Sequence, residues 1–157
     1  MPELPEVETV RKGLEKLLNN FHIERIEVLK ERSIASIGGS KSFISNIKNS
    51  YLGEWKRRGK YLIGSLNTKD EISKGFIVVH LRMTGQFKLI EKQILPCNHT
   101  RVRFLEKSGR ELRFIDIRNF GQMWYVPSTK SLPEIVSGIK RLGPEPFSSD
   151  FNSRYLK

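Results

Sequence analysis

The chain has 157 residues, 38% of them hydrophobic, and a formal net charge of +11 at pH 7. This length predicts one domain with a real core and argues against a second full domain. The basic excess favours a polyanionic partner, with nucleic acid ahead of an acidic membrane surface, although ribosomal proteins share this signature. Cys97 is the only cysteine, which excludes an internal disulfide and leaves no thiolate cluster for zinc.

The sequence shows no sign of membrane insertion or export. No apolar run approaches the ~20 residues that a membrane span needs, and the acidic, proline-containing N-terminus has no signal-peptide core. We therefore expect a cytoplasmic protein, or one inside an organelle, with no membrane partner.

The first third of the chain is predicted to contain two helices and a strand. Apolar residues recur at helical spacing over residues 6–20, which predicts an amphipathic helix. Over residues 21–30 they alternate with charged residues, which predicts a strand exposed on one face. Residues 40–51 are predicted to form a second short helix with Ser40 as its cap.

A series of short strands follows. The predicted strands are 60–66, 76–81, 86–90, 100–105, 111–115 and 122–126. Turn residues separate them, and the long crossover helices of a parallel sheet are missing. The predicted fold class is therefore mainly β with flanking helices: a two-layer antiparallel β-sandwich with the N-terminal amphipathic helix packed on it.

The end of the chain is predicted to leave this domain. A last helix is expected over residues 131–142, followed by a rigid stop ending at Pro146. Residues 148–151 then resemble the capped start of another helix, which would be too short to be stable alone. We therefore predict a domain over residues 1–146 and the beginning of a linker or helix over 147–157.

The first residues combine a helix start with possible chemistry. Removal of Met1 would leave Pro2 as a secondary amine titrating near ~8, which can attack a carbonyl-like carbon and form an iminium that stays cationic. Glu3 is adjacent and able to hold or deliver a proton, and Glu6 follows within about one turn. The alternative is an ordinary helix start, because Pro5 suits a first turn and carboxylates there complement the helix dipole.

Three further segments are candidates for nucleic-acid contact. The densest basic run is 55–61, in which Lys60 is expected to be held rigidly at the start of a strand, suiting a catalytic or phosphate-binding role. Met83 lies in one predicted turn, and Arg118 and Phe120 flank another. Apolar wedges beside an arginine are typical of DNA-kinking surfaces, although each could equally pack on a neighbouring loop.

Five motifs, in order and spacing, resemble those of the bacterial-type formamidopyrimidine-DNA glycosylase family. They are Pro-Glu-Leu-Pro-Glu-Val-Glu-Thr-Val at the start, Arg-Arg-Gly-Lys-Tyr-Leu, His-Leu-Arg-Met-Thr-Gly, Asp-x-Arg-x-Phe-Gly and Leu-Gly-Pro-Glu-Pro. The resemblance covers essentially the whole chain. The related endonuclease VIII branch, which acts on oxidised pyrimidines, looks less similar at the two turns.

The resemblance implies a bifunctional DNA glycosylase and AP lyase of base excision repair. Its substrate would be damaged double-stranded DNA containing oxidised purines such as 8-oxoguanine and formamidopyrimidines. Pro2 would attack the anomeric carbon, Glu3 would assist base departure and ring opening, and Lys60 would bind phosphate and donate a proton in β-elimination. Glu6 would support this catalytic end. The enzyme would act as a monomer on the bacterial nucleoid.

The resemblance also implies which residues contact DNA. The implied DNA-binding residues are His80, Met83, His99, Arg118 and Phe120. Met83, Arg118 and Phe120 would fill the gap left by the damaged base, and the two histidines would contact the backbone. Ile117 replaces the proline usual in its turn, and Asn119 stands where the family often has a basic residue, which puts one phosphate contact in doubt.

The second half typical of the family is missing from this sequence. That half carries a helical DNA-binding motif, a lesion-capping loop and a C-terminal finger that is zinc-bound in most members. An arginine of the finger contributes to DNA binding and is assigned to δ-elimination. We therefore expect no metal or cofactor in this chain, one zinc in a full-length member, and weak DNA binding by this chain alone. The alternative to an enzyme is a truncated, non-catalytic DNA-binding remnant.

Overall fold

The structure is a computed structural model that describes residues 3–142 of the chain. Pro2, the predicted linker 147–157 and its capped helix start lie outside the described residues. The helices are α1 (Leu4–Leu17), the 3-10 helix η1 (Glu31–Ser33), α2 (Gly39–Ile47), α3 (Leu132–Ile135) and α4 (Ser137–Leu142). The strands are β1 (His22–Ile23), β2 (Arg25–Val28), β3 (Ser50–Arg58), β4 (Tyr61–Asn67), β5 (Ser73–His80), β6 (Gly85–Ile90), β7 (Thr100–Leu105), β8 (Glu111–Asp116) and β9 (Gln122–Val126).

The strands form two sheets. One has five strands in the order β1-β3-β4-β5-β9, and the other has four in the order β2-β7-β8-β6. Every pairing between these strands is antiparallel. The predicted mainly β, antiparallel two-layer fold with an N-terminal helix is confirmed.

The main core is buried between the sheets and under α1 and α2. Its largest fully buried side chains are Trp55, Phe21, Phe43, Phe104 and Phe114. A second, smaller cluster lies where α3 and α4 meet the five-stranded sheet, and Tyr61 and Ile63 of β4 belong to it. Leu62 and Leu66 of β4 belong to the main core. Because alternate residues of a strand face opposite ways, β4 is buried on both faces.

The predicted second helix is correct in place but wrong at both ends. Helix α2 ends at Ile47, and β3 begins at Ser50 after Asn49 adopts a left-handed conformation with φ 66°. Ser40 is not the cap, because Gly38 occupies that position with φ 87°. The backbone N–H and the hydroxyl of Ser40 instead donate to the Glu31 carboxylate, at 2.8 and 2.5 Å.

Two other predicted elements are divided. The strand expected over 21–30 is two short strands, β1 and β2, which pair with β3 and β7 in different sheets. The helix expected over 131–142 is interrupted at Val136, whose extended backbone ends α3. The start of α3 has a capping box in which Ser131 and Glu134 satisfy each other's backbone N–H groups.

None of the helices within residues 3–142 has the length and apolar character needed to cross a lipid bilayer.

Candidate nucleic-acid interface and active site

The N-terminal end of α1 carries the first two predicted site carboxylates. Glu3 has an extended backbone and immediately precedes the helix, and its carbonyl accepts the Val7 N–H at 3.0 Å. Pro5 lies in the first turn, where its missing N–H leaves no helical bond unmade. Both Glu3 and Glu6 are exposed to solvent. The role predicted for Pro2 falls outside the described residues and stays a prediction.

Helix α1 is fastened to the five-stranded sheet by an ion-pair cluster that sequence reasoning missed. The Glu8 carboxylate accepts from Arg11 at 2.8 Å on its own helix and from Arg57 of β3 at 3.1 Å. Arg11 also donates to the carbonyl of Trp55 at 3.0 Å. The hydrogen bond from Arg11 is the main cause that holds the pKa of Glu8 below its usual value. These bonds fix the position of the helix that Glu3 immediately precedes.

Lys60 lies in the tight turn between β3 and β4, immediately before β4 begins at Tyr61. Gly59 adopts φ 56° in this turn, and its carbonyl accepts a bond of 3.1 Å from the Arg57 guanidinium. Lys60 therefore directly precedes the strand predicted over 60–66, which begins one residue later than expected, and the rigid placement of its side chain stays a prediction. The basic residues before it belong to β3, a strand that the sequence did not predict.

His80 ends β5 and is buried, with 6% of its surface exposed. Its ring meets the edge of Tyr61 with centroids 4.7 Å apart, and its Nδ1 accepts the Arg82 N–H at 3.0 Å. Burial, and then the positive charges of Arg82 and Lys60, lower the pKa of His80 to about 4. The ring is therefore neutral at pH 7 with its proton on Nε2, so it can donate a hydrogen bond but carries no charge.

Met83 lies at the tip of the turn between β5 and β6. Arg82 reverses the chain there with φ 57°, and 45% of the Met83 surface is exposed. A groove of about 400 Å³ separates this turn from α1 and is lined by Glu6, Val10 and Met83 among others. The structure thus places Met83 across a groove from the helix that presents Glu6.

Arg118 and Phe120 lie in the turn between β8 and β9. Phe120 is 37% exposed, and the guanidinium carbons of Arg32 and Arg118 lie 5.1 and 5.5 Å from its ring centroid. Asn119 has φ 58°, and its side-chain oxygen lies 3.4 Å from the Ser33 hydroxyl. Asn119 therefore ties this turn to η1.

The structure brings the two turns together. The Arg118 N–H donates to the Thr84 hydroxyl at 3.0 Å, and that hydroxyl donates to the Asp116 carboxylate at 2.5 Å. His99 is exposed in the loop before β7, and its carbonyl accepts the Asp116 N–H at 2.9 Å. Met83, Arg118, Phe120 and His99 therefore come from adjacent loops at one edge of the sandwich.

Within residues 3–142, no three acidic, histidine or cysteine side chains are grouped so that they could bind a metal ion. The groups at this site are a helix-terminal carboxylate, a lysine in a tight turn, a neutral histidine and apolar side chains close to arginines. Such a set suits proton transfer and contact with phosphates and bases.

The sequence model of the family described as formamidopyrimidine-DNA glycosylase N-terminal domain matches residues 1–123 of this chain. The chain belongs to the formamidopyrimidine-DNA glycosylase family.

Relatives with this name resemble the whole chain. The formamidopyrimidine-DNA glycosylase of Prochlorococcus marinus strain NATL1A is 83% identical over all 157 residues, which cover 56% of that protein. The one from Parasynechococcus marenigrum strain WH8102 is 54% identical, again over the whole chain and over 55% of that protein. The chain therefore spans about half the length of the curated relatives it matches.

Solved structures of the family share the fold. The Lactococcus lactis protein in complex with DNA containing an abasic site is 28% identical, with a TM-score of 0.75, and the match covers 85% of this chain and 47% of that one. The same protein bound to DNA containing an oxidised pyrimidine, and a MutM protein bound to DNA containing carbocyclic 8-oxoguanine, are each 29% identical with the same TM-score and coverage.

The family resemblance indicated the residues that would contact DNA, but it did not indicate the residues that keep them in position. Glu8 and Arg57 are 49 positions apart in sequence, and Thr84 and Asp116 are 32 apart. Arg32, which lies over Phe120, has no sequence signal that distinguishes it from other basic residues. Only the packing of the helices and strands in the folded chain brings these groups together.

Proposed function

We propose that this chain is the N-terminal catalytic part of a bifunctional DNA glycosylase and AP lyase of base excision repair. Its substrate would be an oxidised purine, such as 8-oxoguanine or a formamidopyrimidine, in duplex DNA. The observation that carries the proposal is the pairing of two turns, one bearing Met83 and the other Arg118 and Phe120, at one edge of a basic domain. Side chains of these types offset the stacking lost when a base leaves the helix.

The chemistry begins at the N-terminus after removal of Met1. The lone pair of the Pro2 amine forms a bond to the anomeric carbon, the glycosidic bond breaks, and its electron pair leaves with the base, which takes up a proton. Glu3, placed at the start of α1, supplies the proton that accompanies opening of the sugar ring. The product is a cationic iminium between Pro2 and the opened sugar.

Strand cleavage follows from the same intermediate. The iminium withdraws electrons and acidifies the adjacent sugar proton, whose loss expels the 3′ phosphate by β-elimination. Lys60, at the tight turn before β4, binds phosphate at the lesion and delivers a proton in this step. Removal of the second phosphate by δ-elimination, and any zinc finger, would belong to the second half of a full-length protein.

The charge of the chain, two histidines and the DNA complexes of relatives support contact with the DNA backbone. The net charge of +11 favours a polyanion, and counterion release makes such binding strongly dependent on salt. The neutral His80 ring offers an Nε2–H donor close to the positive charge of Lys60. The DNA complexes of the Lactococcus lactis and MutM relatives support the same partner. His99, exposed beside the Asp116 backbone, would provide a further backbone contact.

Oxidised pyrimidines are the second candidate substrate class, because the Lactococcus lactis relative has been crystallised with one in its DNA. The test is the rate at which this chain cuts matched duplexes containing 8-oxoguanine opposite cytosine, an oxidised pyrimidine, or no damage. We expect faster cutting of the 8-oxoguanine duplex. Faster cutting of the pyrimidine duplex would favour the endonuclease VIII-like alternative. No cutting of either, with Met1 shown to be removed, would favour a non-catalytic DNA-binding remnant.

A further inference from the structure

The Asp116 carboxylate lies at the end of β8 with none of its surface exposed. One oxygen accepts the Thr84 hydroxyl at 2.5 Å, and the other accepts the Gly121 N–H at 2.7 Å. A carboxylate buried in this way is costly unless hydrogen bonds satisfy it. Both donors lie in turns next to the end of β8, so the carboxylate is hydrogen-bonded directly to each of those turns.

Thr84 completes the link between the two turns. Its hydroxyl donates to Asp116 and accepts the Arg118 N–H at 3.0 Å. Thr84 follows Met83 directly in the chain, so the backbone that carries Met83 is bonded through a single hydroxyl to the backbone that carries Arg118. A side chain that uses one hydroxyl as both donor and acceptor fixes the distance between the two turns.

Each turn contains one residue with a left-handed backbone. Arg82 and Asn119 have φ values of 57° and 58°, in the left-handed region that non-glycine residues rarely adopt. Gly121 allows the close approach of the carboxylate, since a Cβ there would lie 2.8 Å from an Asp116 oxygen and 2.6 Å from the Phe114 ring. The local sequence is therefore arranged around the Asp116 side chain.

We propose that Asp116 and Thr84 are positioning residues that hold the Met83 turn and the Arg118–Phe120 turn as one rigid unit, so that both insert into DNA together. The inference rests on the proposed function, because it assumes that these turns enter DNA at a lesion. Ordering the two turns before binding removes an entropy cost that separate, mobile turns would have to meet on contact with DNA.

The test uses Thr84→Val, which keeps the shape of the side chain but removes the hydroxyl, and Asp116→Asn as a second break in the same link. Thr84→Ser keeps the hydroxyl and should behave as the wild type. Thr68→Val is the matched control, since the Thr68 hydroxyl also accepts a backbone N–H, from Ile72 at 3.1 Å, but in the distant turn between β4 and β5.

The first measurement is hydrogen exchange of the Arg118 and Gly121 amides without DNA. We expect about tenfold faster exchange in Thr84→Val and Asp116→Asn, with amides at the centre of β5 unchanged, and no change at these positions in Thr84→Ser or Thr68→Val. The second is the affinity for a duplex containing a stable abasic-site analogue, at one salt concentration. Thr84→Val should bind it about tenfold more weakly, with its affinity for undamaged duplex unchanged.

Unchanged exchange at Arg118 in both Thr84→Val and Asp116→Asn would overturn the proposal. So would faster exchange accompanied by wild-type affinity for the abasic duplex, because the link would then have no consequence for DNA. If the wild-type chain does not prefer the abasic duplex over the undamaged one, the proposed function fails instead. The exchange measurement would still decide whether the two turns are coupled.

Discussion

Acidification should destabilise the fold through His80. Its ring is 6% exposed, packs against Tyr61 and lies near the positive charges of Lys60 and Arg82. Burial first, and then these charges, lower its pKa from 6.5 to about 4. The unfolded chain therefore takes up a proton as the pH falls below about 6.5, whereas the folded chain resists protonation until about pH 4. Stability is lost across this window and levels off below it.

The size of the effect follows from the two pKa values. Between pH 7 and pH 5 the unfolded state gains most of one proton at His80 and the folded state gains almost none. The corresponding loss in the free energy of unfolding is ~2 kcal/mol. That loss is a substantial fraction of the stability of a domain of this size.

The assay is urea unfolding of the wild type and His80→Asn at pH 7, 6 and 5. Asparagine can accept the Arg82 N–H as Nδ1 of His80 does, at 3.0 Å in the wild type, but it does not titrate. The wild type should lose ~2 kcal/mol more than the variant between pH 7 and 5. An NMR titration of the His80 ring gives its pKa directly. Titration near 6.5, or equal losses in the two proteins, would refute the reasoning.

Two further predictions concern the support of the site. Glu8→Gln should lower the free energy of urea unfolding by ~1–2 kcal/mol, because it removes the negative charge paired with Arg11 and Arg57 and one of the two acceptor oxygens. Glu15 is more exposed, so Glu15→Gln should cost ~0.5 kcal/mol or less, and equal losses in the two variants would contradict this. Gly75→Ala should lower the melting temperature far more than Gly109→Ala. Both glycines have a positive φ, but of the two only Gly75 lies so close to other backbone that an added Cβ would clash, 2.1 Å from the Val126 carbonyl oxygen. Similar melting temperatures for the two variants would contradict the expected clash.

The sandwich was predictable because its strands are short, apolar and separated by turn residues. Strand β3 was not predictable, because Lys56, Arg57 and Arg58 give it the composition of a loop. Its register against β4 also shifts between Leu52 and Trp55, which breaks the regular alternation on which strand prediction depends. Burial of Trp55 and pairing with β4 decide the conformation, and both are properties of the folded sheet.

The site was predictable only where a residue belongs to a motif. Met83 and Phe120 lie in turns between strands, and Lys60 directly precedes a strand, close to where its motif placed it. The link between Thr84 and Asp116 depends on the pairing of Gly85 with Asp116 across β6 and β8, which local sequence does not reveal. Burial of His80 likewise results from packing on Tyr61 rather than from its neighbours in sequence.

The proposed function depends on a covalent bond between Pro2 and the damaged sugar. The most direct measurement is borohydride trapping of this chain on duplex DNA containing 8-oxoguanine opposite cytosine, with the adduct mapped by mass spectrometry and Pro2→Gly as the control.

We expect an adduct on Pro2 in the chain from which Met1 has been removed, and much less from Pro2→Gly, since the imine of a primary amine can lose its proton and its charge. An adduct mapped to another residue, an equal yield from Pro2→Gly, or no adduct with Met1 removed would contradict the mechanism.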